Sequence, residues 1–199
     1  MDLPRIYLAG PMVFDPAPEA IFTRMKELCR RHGLTGVSPL DNQLGLEGLT
    51  PGRALLEKIV RADIELMDTL DGGLFCLDSF RRSPEMDPGT AFEVGYMRAL
   101  KKPLAGWTRD PRPYPAKVRD HFENTFGLKL TDATPNTKGG TSGTLRDPDG
   151  ILVHSQDCLQ NAMIDFGIAT SGGQVFADPD WETAFEQAAT CLSGLFSGL

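Results

Sequence analysis

Three carboxylates stand where they could do chemistry rather than merely face water: Asp63, Asp87 and Glu93. Glu93 interrupts an apolar run, Ala91-Phe92-Glu93-Val94-Gly95-Tyr96-Met97, and Met97 follows one helical turn later on the same face. That spacing aims Glu93 toward a pocket or interior. Read as lying in a helix's first turn, it would be held ionised by the macrodipole, an effect of about 0.3–1 kcal/mol. An ionised, poorly hydrated carboxylate can attack a sugar carbon and form a covalent ester. The plainer alternative is a solvated acid stabilising a helix start. Asp87 precedes Pro88-Gly89 and equally suits a turn. Asp63 sits among apolar neighbours and could instead pair with Arg61 or Lys58. If two or three of these groups converge, the chemistry is glycosyl transfer, one carboxylate attacking the anomeric carbon and another handling the leaving group's proton.

The elements that must position them follow from periodicity. Arg5–Ala9 reads as a buried strand closed by Gly10-Pro11. Residues 18–32 form a helix with Gly33 past its end, and Leu34–Ser38 a second strand. Thr50-Pro51 reads as the start of a helix that buries Leu55, Leu56, Ile59, Ala62, Ile64 and Met67. Gly73–Leu77 is a continuous apolar strand of the kind found inside a parallel sheet. A helix over 90–101 and a strand over Pro103–Trp107 complete an alternating α/β sandwich. Residues 108–155 turn polar and rich in Pro and Gly, and read as an insertion with little regular structure, either a surface loop or a lid. Patterning returns at 156–165, with a last strand at Gln174–Phe176 and a closing helix over Trp181–Leu195. In such a sheet ligands bind beyond the carboxyl ends of the strands, which here carry Gly10-Pro11, Asp41-Asn42 and the segment Asp78–Thr90.

Composition narrows the classes. The 199 residues hold 20 Lys and Arg against 27 Asp and Glu, a net charge of −7, which disfavours binding to a nucleic-acid polymer. No apolar run approaches the roughly 20 residues of a membrane helix, and the opening MDLPRIYLAG lacks a signal-peptide layout. The four cysteines, Cys29, Cys76, Cys158 and Cys191, include no CxxC pair and fit reduced thiols of a cytoplasmic protein. His32, His121 and His154 are too dispersed to suggest a metal site, so neither metal nor cofactor is expected. The chain reads as one domain over 1–199.

Three segments, Ile6-Tyr7-Leu8-Ala9-Gly10-Pro11, Asp87-Pro88-Gly89-Thr90-Ala91-Phe92-Glu93-Val94-Gly95 and Asn161-Ala162-Met163, together resemble the nucleoside 2-deoxyribosyltransferase family, nearest its shorter, kinetoplastid-like branch. The resemblance covers residues 4–107 and 156–190. It implies a flavodoxin-like fold with a five-stranded parallel sheet, and transfer of 2-deoxyribose from a 2′-deoxynucleoside to a free nucleobase with retention. It further implies Glu93 as nucleophile, Tyr7 as the phenol orienting it, Asp87 as the sugar-hydroxyl ligand and Asp63 as the acid for the departing base. Phe14, Asp41 and Phe80, with Gly10, Pro11 and Gly89, would line the substrate site. Asn161 and Met163 would be lent by a neighbouring subunit, making the protein at least a dimer.

Two other readings compete. One is an N-glycoside hydrolase of nucleosides or nucleoside 5′-monophosphates, for which Arg81 and Arg82 are the candidate phosphate ligands. The other is a ligand-sensing α/β module without turnover. A phospho-receiver version of it fails because Gly10-Pro11 stands where paired acids would be needed.

Overall fold

The computed structural model describes residues 2–42, 50–133, 144–155 and 157–198. Strands β1 (Arg5–Ala9), β2 (Thr35–Val37), β3 (Gly72–Cys76), β4 (Leu104–Thr108) and β8 (Val175–Ala177) form one sheet. Its order is β2-β1-β3-β4-β8, and every pairing is parallel. This is the flavodoxin-like order, in which the chain reverses direction of growth between β1 and β3 and opens a crevice at their carboxyl ends. Strands β3 and β4 are buried along their whole length, as their unbroken apolar sequences require.

Alternating side chains of the sheet feed two apolar layers. Ile6, Leu8, Leu74 and Trp107 meet α1 (Pro18–Arg31) and α6 (Trp181–Ser197) through Phe22, Met25, Leu28, Phe185 and Leu192. Tyr7, Ala9 and Phe75 meet the end of α2 (Arg53–Thr69), then α3 (Pro88–Ala99) and α5 (Ala162–Ala169), through Leu66, Met67, Met97 and Ile168. Helix α1 ends as expected, with Gly33 in the left-handed region at φ 71°.

Several expectations need correction. Helix α2 starts at Arg53 with Gly52 before it and no side-chain cap, so Thr50-Pro51 lies outside it. Leu56 is not core: it is 62% exposed and faces outward with Val60. Residues 108–155 are not an unstructured insertion. They hold α4 (Tyr114–Phe126), ended by Gly127 at φ 66°, and three short antiparallel strands, β5 (Thr131–Asp132), β6 (Leu145–Arg146) and β7 (Leu152–Val153). Two-residue strands carry no detectable alternation, and the flanking prolines masked a helix whose first turn tolerates them. Residues 134–143 of that stretch lie outside the described residues. No helix of the described residues is long and apolar enough to cross a membrane.

Strand β8 docks so closely on β4 that a Cβ on Gly173 would lie 1.7 Å from the Leu104 carbonyl oxygen. Gly173→Ala should therefore cost at least about 2 kcal/mol, read as a fall in the urea midpoint. An unchanged midpoint would contradict this docking.

Candidate active site

Helix α3 is built around Asp87. Its side chain caps the helix, Oδ2 accepting from Thr90 N (2.8 Å) and Thr90 Oγ1 (3.0 Å), while Pro88 supplies a first residue that has no N–H to satisfy. Gly89 leaves room for this carboxylate, since a Cβ there would come within 3.0 Å of Oδ2. Asp87 is buried, and its Oδ1 holds no hydrogen bond among the described residues. Cap and candidate ligand are thus one side chain.

This start places Glu93 in the second helical turn, not the first. The macrodipole argument for a charged Glu93 therefore weakens, because that field fades beyond the first turn. Burial decides instead. Glu93 is pushed up to about 7, mainly by desolvation, with the charges of Asp63 and Asp87 adding and a hydrogen bond from Tyr7 opposing. Tyr7 is wholly buried in β1 and donates from Oη to Glu93 Oε1 at 2.6 Å. Its phenol is driven far up by burial and by Glu93, so it stays protonated and remains a donor. Asp63, half-buried on α2, is pushed up to about 6 by burial and acts electrostatically on both Tyr7 and Glu93. The structure therefore brings Tyr7, Asp63, Asp87 and Glu93 together on the α3 side of the sheet.

The remaining candidates fall elsewhere. Pro11, Phe14 and Phe80 line a separate cavity of about 390 Å³ with Met12, Trp107 and Trp181, and none of the four clustered residues is among its walls. The Phe14 and Phe80 rings lie 5.7 Å apart. Gly10 packs against residues of this cavity, since a Cβ there would come within 2.6 Å of Cys76 Cβ and 2.7 Å of the Met12 side chain. Asp41 is engaged by its own chain: Oδ1 binds Lys26 Nζ at 2.5 Å and Oδ2 accepts from Ser38 N at 2.9 Å. Burial raises its carboxyl, but these bonds prevail and hold it low. Asn161 caps α5, its Oδ1 accepting from Met163 N, and Met163 is 81% exposed. Neither is bonded to the Tyr7–Glu93 cluster.

Two groups that sequence reasoning missed hold this architecture in place. Gln160, fully buried, donates from Nε2 to the carbonyls of Leu77 and Pro84, so it ties the segment before Asn161 to the loop before Asp87. Asp165 accepts from Leu159 N and Gln160 N and completes that clasp. A lone glutamine gives no sequence signal, although its position beside Asn161 marked the segment.

The titration of Glu93 has a stability consequence. A carboxyl that titrates near 7 when folded and near its ordinary 4.5 when unfolded favours the fold below 4.5 and loses that contribution as pH rises through 7. Glu93→Gln keeps an acceptor for Tyr7 without the buried charge. It should raise Tm by a few degrees at pH 8 and change it little at pH 5. Equal effects at both pH values would contradict a desolvated Glu93.

Comparisons with known proteins agree with this fold. A family model described as nucleoside 2-deoxyribosyltransferase matches residues 6–163. An uncharacterized protein of Schizosaccharomyces pombe is 48% identical over 191 residues, covering 96% of this chain and 89% of its own. A 2-desoxiribosyltransferase from Leishmania mexicana superposes with a TM-score of 0.59 at 24% identity, over 94% of this chain and 97% of its own. A conserved protein from Enterococcus faecalis does so at 0.54 and 17% identity, over 93% and 98%, and both likenesses establish the shared fold. From the residues matched, the chain belongs to the nucleoside 2-deoxyribosyltransferase family of transferase enzymes.

Proposed function

We propose that this protein moves 2-deoxyribose between nucleobases with retention, through a deoxyribosyl ester on Glu93. The observation that carries the reading is the 2.6 Å bond from the buried Tyr7 phenol to Glu93, with Asp63 and Asp87 acting on the same carboxylate. Retention at the anomeric carbon requires two inversions and hence a covalent intermediate. Glu93 Oε attacks C1′ as the C1′–N bond breaks, and the bond's electron pair leaves with the base. Protonated Asp63 supplies the proton that neutralises it. The incoming base then attacks C1′ through a ring nitrogen, its proton returns to Asp63, and Glu93 departs as carboxylate.

With Asp63 pushed up to about 6 and Glu93 to about 7, the two carboxyls hold about one proton between them just below neutrality. The productive arrangement has that proton on Asp63. Asp87 Oδ1 receives a sugar hydroxyl, while Tyr7 fixes one Glu93 oxygen so that the other faces the anomeric carbon. The aromatic cavity lined by Pro11, Phe14 and Phe80 suits a flat base. If water replaced the second base, the same machinery would hydrolyse nucleosides.

Mass spectrometry of the protein with a 2′-deoxynucleoside and no acceptor tests this reading. It should show a deoxyribosyl adduct and released base, and adding a second base should yield new nucleoside. Glu93→Ala should lose about 10⁴-fold or more in turnover while remaining folded. Unchanged kinetics would remove the mechanism, and base release without new nucleoside would select the hydrolase.

The oligomer belongs to the same proposal. Leu56 and Val60 on α2, Phe92 on α3, and Met163 and Phe166 on α5 are all exposed apolar side chains. A soluble chain rarely leaves so many uncovered. We assign them to contact with a second copy, which would bring Asn161 and Met163 to the neighbour's sugar pocket. Met163→Asp should shift the mass measured by light scattering toward the monomer and lower turnover by about tenfold or more. A monomeric wild type with full activity would overturn this.

A further inference from the structure

A polar cleft of about 350 Å³ lies between the β3–α3 loop and α4, and the catalytic cluster does not use it. Its walls include Ser79, Arg82 and Ser83 from the loop, and Lys117, His121 and Asn124 from α4. Lys117 is the unusual member. It is 3% exposed, yet the only hydrogen bond of its ammonium among the described residues runs from Nζ to the neutral Leu159 carbonyl oxygen (2.8 Å), and it forms no ion pair there. A buried ammonium normally has a carboxylate against it, because desolvation of an unpaired charge is costly. Here burial lowers its pKa, with Arg112 adding to that, and Asp110, Asp78 and Asp165 oppose it only through space.

Arg82 has no hydrogen-bond or ion-pair partner among the described residues. It is the third residue of a tight turn closed by Ser83 N donating to the Phe80 carbonyl oxygen at 2.9 Å. Both central residues, Arg81 (φ 50°) and Arg82 (φ 61°), occupy the left-handed region that glycine or asparagine ordinarily fills. Arg81 is taken up by the Phe80 ring, 4.9 Å below its guanidinium carbon. Arg112 and Asp120, also on the cleft wall, are bound to one another, and Arg112 also holds Asp110. Arg82 therefore remains without a carboxylate partner among the described residues, and Lys117 is met by carboxylates only through space, in a protein of net charge −7. The Ser83 hydroxyl accepts from Glu85 N and keeps its own proton to donate.

We propose that this cleft is an oxyanion site for a phosphate group, with Lys117 as its buried anchor, Arg82 at its mouth, and the Ser79 and Ser83 hydroxyls as further donors. Donors arriving from a loop and a helix suit a tetrahedral anion with three terminal oxygens, whereas a planar carboxylate would meet only some of them. The phosphate can be free or the 5′-phosphate of a nucleotide, and both sources present the same chemistry. The site lies on the loop that leads into Asp87, so its occupancy would brace that loop.

Calorimetric titration of the full chain with inorganic phosphate, at constant ionic strength, is the test, with acetate as the planar-anion control. Saturable phosphate binding without acetate binding is expected. Lys117→Met, which removes a buried charge and so spares the fold, should weaken it by about tenfold or more, and the exposed variant Arg82→Ala should weaken it too. Glu93→Gln should leave it intact, which separates this site from the proposed chemistry. A 2′-deoxynucleoside 5′-monophosphate that competes with phosphate identifies the nucleotide as an occupant, and one that does not identifies free phosphate; either result upholds the site. No phosphate binding above the acetate level, or equal binding by Lys117→Met and Arg82→Ala, would overturn it.

Discussion

The hydrogen bond from the Tyr7 phenol to Glu93 is the constraint on which the site depends. It joins positions 86 residues apart, one in a central strand and one in a helix two crossovers later. Tyr7 has no access to solvent, so its hydroxyl must find a partner inside the protein, and an unmet phenol there would be costly. Strand β1, paired on both sides, cannot shift to relieve it. The bond therefore fixes how α3 lies on the sheet as well as which oxygen of Glu93 is restrained.

That placement carries a cost that is also the site's chemical property. Asp63, Asp87 and Glu93 are gathered where water is scarce, and burial raises Asp63 and Glu93. Asp87, the least exposed of the three, is met by a helix start needing an acceptor in any case. The same economy recurs at Asn161, which caps α5 while sitting beside the exposed Met163. Around them, Gln160 and Asp165 bind loop backbone to loop backbone, so that segments distant in sequence are tied to one another. The precision of the cluster comes from caps and clasps more than from the carboxylates themselves.

The two faces of the sheet are covered unequally. Helices α1 and α6 seal one side with aromatic and aliphatic packing, including Trp107 against Trp181 and Phe185. On the other side α2 buries only its last turns and leaves Leu56 and Val60 outward. Apolar residues at helical spacing thus served two purposes in one helix, core at one end and uncovered surface at the other. Periodicity records that a side chain is apolar, but not which surface will cover it.

Sequence alone determined the alternation of strands and helices, the parallel class of the sheet, and which acids were worth weighing, because continuous apolar strands and helix-ending residues are local signals. Gly33 after α1 and the apolar run of β3 could be read without coordinates for that reason. Tertiary structure alone decided where α3 begins, and so that burial sets the titration of Glu93, pushing it up to about 7, where a helix dipole would have held it low, since burial depends on what packs above a residue. It also decided that Asp41 is consumed by Lys26, that Phe14 and Phe80 face a cavity separate from the acids, and that Tyr114–Phe126 form a helix and β5, β6 and β7 a small antiparallel sheet. Contacts between distant segments leave no periodic trace in the chain, and only the packed molecule selects among them.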